Sequence, residues 1–405
     1  MIKRQIALFF VLLAFALSFS ACKKQSEENS NAADGKTAQN DTKSPAQLLL
    51  ESVPFTEEGL KTLFINTEEK KEITPDAYEA LYLAFGKCKL DDDLKFDDCP
   101  VYKALNEAPL SVLDNDTIEQ IKGRLANSED NKIRKALANE SDFFGLSDKA
   151  KARLMTMAEN EKDLAVLLQL VSSLKNLGGR DKDVGSFLAK MAEHENPKLR
   201  RAVAVGIASS WNEKMENVVP IMEKLMFEDP EEEVREAACK YAGKLKREEL
   251  LTTYEKILTD QTKTNEHPNC IDGVMSLWWN YPFHDTYSEK AYKMTLDYLN
   301  KTPRDNDNPS WSMVDDFSHM AKDFEKWKQN ATWYKETDLH KSLADIVRDP
   351  NANWMARTGA VKSLAATNFS KPNLEKLLDE IKKNNEDKKL KHVEEAINKA
   401  LQKMK

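Results

Sequence analysis

The feature that most constrains this chain is a phrase that returns. Asp229–Leu245 reads DPEEEVREAACKYAGKL. An Asp-Pro step ends one helix and opens another, because the N–H that proline lacks would be unpaired in a first turn anyway. Asp229 stands where an N-cap is expected, and Glu231, Glu232 and Glu233 follow at the positive end of the helix dipole. Val234, Ala237, Ala238, Tyr241, Ala242 and Leu245 then recur on a single helical face. Such small residues call for another helix packed close against them.

The phrase has echoes. Leu199-Arg200 with Ala202, Val203, Gly206 and Ile207 follows Asn196-Pro197. Ala356-Arg357 with Gly359, Ala360, Ser363 and Leu364 follows Asp349-Pro350. Ile133-Arg134 follows Asp130, and Leu390-Lys391 with Val393 and Ile397 follows Asp387. Leu164, Leu167, Leu168 and Val171 fill the early position left between them. A second amphipathic run precedes each phrase, as Phe187, Leu188 and Met191 do before Asn196. The unit is helix, Asp/Asn-Pro turn, helix, repeated roughly every 31 to 42 residues, which predicts a solenoid.

These residues resemble HEAT repeats, whose second helix opens with a proline, an aliphatic residue, an arginine and an alanine pair. The resemblance runs over roughly residues 120–405, and best at Pro197–Ala204, Asp229–Ala238 and Asp349–Ala360. It implies an all-α fold, a superhelical stack with a concave binding face, and no particular ligand. It also implies an Asp–Arg ladder between repeats, drawn from Asp229/Arg235 and Asp349/Arg357, with Asn196 weakening the pattern at Arg200.

The repeats occupy residues 121–405, and three other parts precede them. Residues 1–21 read as a secretory leader: Lys3 and Arg4, an apolar Ile6–Ala16, then Ser20-Ala21 before Cys22. The junction resembles the lipobox of bacterial lipoproteins, which makes Cys22 the lipidated first residue. Ordinary cleavage near Ser20 or Ala21 is the alternative. Lys23, rather than Asp, follows Cys22, and in the enterobacterial pattern that favours the outer over the inner membrane. Residues 23–46 hold no Leu, Ile, Val, Met or aromatic residue, so burial cannot offset their ordering entropy. They read, with Cys22, as a disordered tether spanning about 27 Å.

Residues 47–120 form a smaller, irregular helical region, with helices expected near 46–53, 56–64, 74–87, 100–106 and 114–126. In an oxidising compartment, Cys88 and Cys99 are the best disulfide pair, flanking the polar loop KLDDDLKFDD between two helices. A second bridge between Cys239 and Cys270 stands against the plainer reading of Cys239 as a buried thiol. The aspartates of that loop lack EF-hand spacing and read as a solvated acidic turn.

Five of the seven tryptophans fall in residues 271–334, where the period breaks. Trp278, Trp279, Tyr281, Trp311, Trp327 and Trp333 are therefore candidate partner-binding residues, since exposed aromatics dominate interface energetics. The competing reading is that bulky side chains fill gaps left by irregular repeats.

Chemical motifs are sparse. The chain has no Gly-rich phosphate loop, no HExxH and no GxSxG, and its six histidines are never closer than 17 residues. Ser172–Lys175 matches SxxK without its companion motifs. No metal or cofactor is implied. A net charge of −8 and a pI near 5.6 disfavour nucleic acid, and nothing after the leader is apolar enough to span a membrane. The expectation is a non-catalytic envelope lipoprotein that binds a protein partner through its repeats and meets the membrane only through its lipid. The rivals are a ligand-handling protein or enzyme using 271–334 with Asp315, Asp316 and His319, and a mechanical spacer with buried aromatics.

Overall fold

The structure is a computed structural model, and it describes residues 43–140, 146–279, 287–301, 311–320, 329–383 and 390–404. Ser44–Lys405 forms one compact unit. The leader, Cys22 and the tether up to Thr42 lie outside the described residues.

Folded structure begins inside the stretch expected to be tether. Helix α1 (Pro45–Ser52) has a capping box: Ser44 Oγ accepts from Gln47 N–H and Gln47 Oε1 accepts from Ser44 N–H. Helices α2 (Glu57–Lys61), α3 (Pro75–Ala84), α4 (Pro100–Glu107) and α5 (Asn115–Leu125) follow, with a short antiparallel pair, Ile65–Asn66 and Lys71–Glu72, after α2. Tyr78, Leu81, Tyr82 and Phe85 form the core of this region. Phe85 meets Phe96 at 5.2 Å and Tyr102 at 5.1 Å between ring centroids. Cys88 and Cys99 are bonded and close the acidic loop, so that Phe96 is held against Phe85. The Lys135 ammonium lies 4.7 Å from the Phe96 ring centre and joins this region to the first repeat.

From α5 onward the chain is a stack of helical hairpins. Their first helices are α5, α7 (Asp148–Asn160), α9 (Lys182–Ala192), α11 (Val218–Phe227), α13 (Leu250–Thr259), α15 (Tyr287–Lys301), α17 (Glu336–Arg348) and α19 (Lys371–Lys382). Their second helices are α6 (Asn131–Ala138), α8 (Leu164–Leu174), α10 (Pro197–Ile207), α12 (Glu232–Ala242), α14 (His267–Trp278), α16 (Trp311–Met320), α18 (Trp354–Ala366) and α20 (Leu390–Lys403). Each even-numbered helix packs on the next even one and each odd on the next odd, giving two parallel layers with the core between them. Burial therefore runs along the stack rather than to one centre, as expected of a solenoid.

Arginines join successive repeats in one repeated geometry. Arg200 gives Nε–H and an Nη2 proton to the two carboxylate oxygens of Asp229, at 2.7 and 2.9 Å. Its Nη1 donates to the carbonyls of His194 and Glu195. Arg134 does the same with Glu161 and the carbonyls of Ser128 and Glu129. Arg235 gives its Nε–H to Glu266 Oε1 at 2.6 Å and its Nη1 donates to the carbonyls of Asp229 and Pro230. Each guanidinium thus ties off the carbonyls of its own turn and takes its carboxylate from the next repeat.

Two details of the expected ladder change. Asp229 does not cap α12, which starts at Glu232; its carboxylate serves Arg200 and accepts from Glu231 N–H. Arg200 therefore needs nothing from Asn196, which caps α10. In the Asp349–Ala360 phrase, Asn353 caps α18 and the buried Arg357 donates from Nε to the Val347 carbonyl.

The second cysteine pair is also bonded. Cys239 of α12 and Cys270 of α14 staple two neighbouring second helices. The backbones come close enough because Gly273 faces α12: a Cβ there would overlap the Cys239 carbonyl oxygen and the Tyr254 hydroxyl. Tyr254 is fully buried, and its hydroxyl donates to that same carbonyl at 2.7 Å.

Candidate functional site

Among the described residues the aromatic stretch is mostly core. Trp278, expected on a partner-binding face, is 0% exposed. Its Nε1–H donates to Thr295 Oγ1 at 3.0 Å, and its ring meets Tyr292 at 5.0 Å, Phe317 at 6.2 Å and Trp333 at 6.3 Å. Tyr292, Phe317 and Tyr334 are buried around it. Trp279 and Trp333 are half-buried against the same core. The physical reason is local: where the period breaks, α14, α15 and α16 leave volume that small residues cannot fill. Tyr281 and Trp327 lie outside the described residues, as does the side chain of Trp311 at the start of α16.

Beside this core, carboxylates gather on successive second helices. Asp272 of α14 lies 3.4 Å from Lys240 of α12. On α16, Asp315 lies 3.2 Å from Lys362 of α18 and 3.8 Å from His319. Burial, followed by the charge of Asp272, pushes Asp316 up to about 6. Burial also raises Asp272, against the pull of Lys240. Desolvation of this kind lets Asp316 keep its proton to a higher pH than an exposed carboxyl does. Among the described residues, no group of three or more His, Cys, Asp and Glu side chains is placed to hold a metal ion.

A third place lies away from the aromatic stretch. The loops that follow α8 and α10 lock together through Asn212, which is fully buried. Asn212 Nδ2 donates to the carbonyls of Lys175 and Ile207, and its Oδ1 accepts from Gly179 N–H at 3.1 Å. Gly179 is required here, since a Cβ would overlap the Trp211 carbonyl oxygen. On this locked pair of loops Trp211 stands 55% exposed. The Arg180 guanidinium carbon lies 4.1 Å from the centre of its ring. Arg180 also borders a cleft of about 540 Å³, with Gly178, Lys182, Ser186, Lys214 and Glu216 among its walls. The signal in the sequence was slight: a tryptophan in the polar run Ser209–Asn217 with no apolar periodicity around it, and the Gly178-Gly179 pair.

These features define the class: an all-α protein, a solenoid of HEAT-like helical hairpins. Residues 184–265, from α9 through α13, match the family of HEAT repeats. Among solved structures the chain is similar to Kap121p, with a TM-score of 0.46 and 10% identity over 81% of this chain. That similarity spans 41% of the Kap121p chain. It is also similar to the Escherichia coli protein YIBA, with a TM-score of 0.34 and 13% identity, covering 82% of this chain and 99% of that one. No curated protein matches the chain.

Proposed function

We propose that this chain is a lipid-anchored bacterial envelope lipoprotein, carried on Cys22 at the outer rather than the inner membrane, whose solenoid binds a protein partner without chemistry of its own. The observation that carries the binding part is the stack itself. Hairpins joined by arginine rungs and a disulfide give an extended, rigid surface, which is what repeat proteins offer to other macromolecules. The anchor rests on the leader and the residues before Cys22.

The test has two arms. Cells labelled with a palmitate analogue are expected to mark the wild type and not Cys22→Ala, which moves to the soluble fraction. In-cell cross-linking of the full chain, with reciprocal capture from the partner's side, is expected to give one stoichiometric protein partner. An unlabelled wild type refutes the anchor. A chain that cross-links to nothing stoichiometric refutes the scaffold. A second reading, small-ligand handling beside the aromatic core, is favoured by the raised carboxyls of Asp272 and Asp316. Native mass spectrometry of the purified chain tests it, and a bare polypeptide mass counts against it.

A further inference from the structure

We propose that the Trp211–Arg180 ledge and the cleft beside it form the docking site for an acidic, extended segment of a protein partner. A carboxylate of that segment would pair with Arg180, and an apolar or aromatic side chain beside it would cover Trp211. The inference rests on the scaffold reading above and names its face and the chemistry of its partner.

Four observations carry it. The first is an unused guanidinium. Arg180 stacks on Trp211, and among the described residues its side chain has no hydrogen-bond acceptor and no ion-pair partner. A guanidinium over an aromatic face can still direct its donors outward, toward the two oxygens of a carboxylate. Second, charge is unbalanced at the cleft. Lys182 and Lys214 are exposed and make no ion pair among the described residues, while Asp181 is already neutralised by Lys151 at 2.7 Å. Among the residues that line the cleft, Glu216 is the one other carboxylate against three cations, in a chain whose net charge is −8. Such a local excess of positive charge is complementary to an acidic partner.

Third, the site is rigid before anything binds. Asn212, the Gly179 backbone and the packing of Gly178 under Met215 and Leu188 fix both loops. Little ordering entropy is left to lose on binding, and that raises affinity. Fourth, tryptophan and arginine are the residue types most enriched at binding hot spots. Here the two sit together on the surface, while Trp278, Tyr292 and Phe317 are buried.

The experiment uses the full lipidated chain in detergent micelles as bait for a displayed library of random linear peptides. Selected peptides are then titrated by fluorescence anisotropy against the wild type, Trp211→Ala, Arg180→Glu and Lys214→Glu, each first checked for an unchanged unfolding midpoint. The expected result is a set enriched in Asp and Glu. Trp211→Ala and Arg180→Glu should each weaken binding about 30-fold. Peptides that bind the variants as well as the wild type, or that carry no acidic excess, overturn the docking site while leaving the scaffold reading intact. Recovery of no peptide at all overturns the docking site, while the scaffold reading stands or falls on the cross-linking result. Phosphatidylglycerol vesicles are run in parallel. Vesicle binding lost in Arg180→Glu without any selected peptide reassigns the ledge to lipid headgroups and also overturns the proposal.

Discussion

Trp278 and Trp211 make opposite predictions, and the contrast tests the assignment of core and surface directly. An indole that is wholly buried removes about 150–250 Å² from water. At about 25 cal/mol per Å² that is about 4–6 kcal/mol. Truncation to alanine keeps the Cβ and lets the neighbours relax, so Trp278→Ala is expected to cost about 3–5 kcal/mol. The hydrogen bond to Thr295 accounts for about 1 kcal/mol within that figure. Trp211→Ala loses only an exposed ring and its contact with Arg180, which is about 0.5–1 kcal/mol. The assay is urea unfolding of the mature chain followed by far-UV circular dichroism, with partner capture measured on the same samples. Trp278→Ala should lower the midpoint strongly, and Trp211→Ala should barely move it. A Trp278→Ala variant that unfolds like the wild type but loses its partner would refute the reasoning and return the aromatic stretch to the surface.

Other expectations follow from particular contacts. Arg200→Leu leaves the nearly buried carboxylate of Asp229 without its cation and should cost about 3–5 kcal/mol, whereas replacing both partners by apolar residues should recover most of the loss in a double-mutant cycle. Converting Cys239 and Cys270 to serine opens a loop of 31 residues and should lower stability by about 3–4 kcal/mol, a difference that disappears when wild type and variant are compared in reductant. Asp316 titrates at about 6 in the fold against 3.8 unfolded, so the native state holds the extra proton between those limits and stability falls as pH rises through them. Asp316→Asn should remove that slope and raise the unfolding midpoint at neutral pH, and a wild type with no such slope would show that the carboxyl is not desolvated.

The helical layout was legible because its signals are local. Asp130, Asp163 and Asn196 each cap a second helix through their own side chains, and each announces its hairpin within a few residues. Amphipathic spacing places Val234, Ala238, Ala242 and Leu245 in the core without any knowledge of what they touch. Cys88 and Cys99 are close in sequence, so the short loop between them limits where they can go.

What the sequence left open depends on groups about one repeat apart. Asp229 follows the rule for an N-cap, yet its carboxylate belongs to Arg200, 29 residues earlier, because a buried guanidinium offers it more than the end of α12 does. The bond between Cys239 and Cys270 depends on glycine letting two helices approach, which is a property of their packing. The fate of the tryptophans is the clearest case. Composition shows where they cluster, but only the volume enclosed by α14, α15 and α16 decides that Trp278 fills a gap, and only the lock formed by Asn212 and Gly179 holds Trp211 out in solvent. Periodicity and capping are written in neighbouring residues, whereas exposure is set by what the rest of the chain brings to the same place.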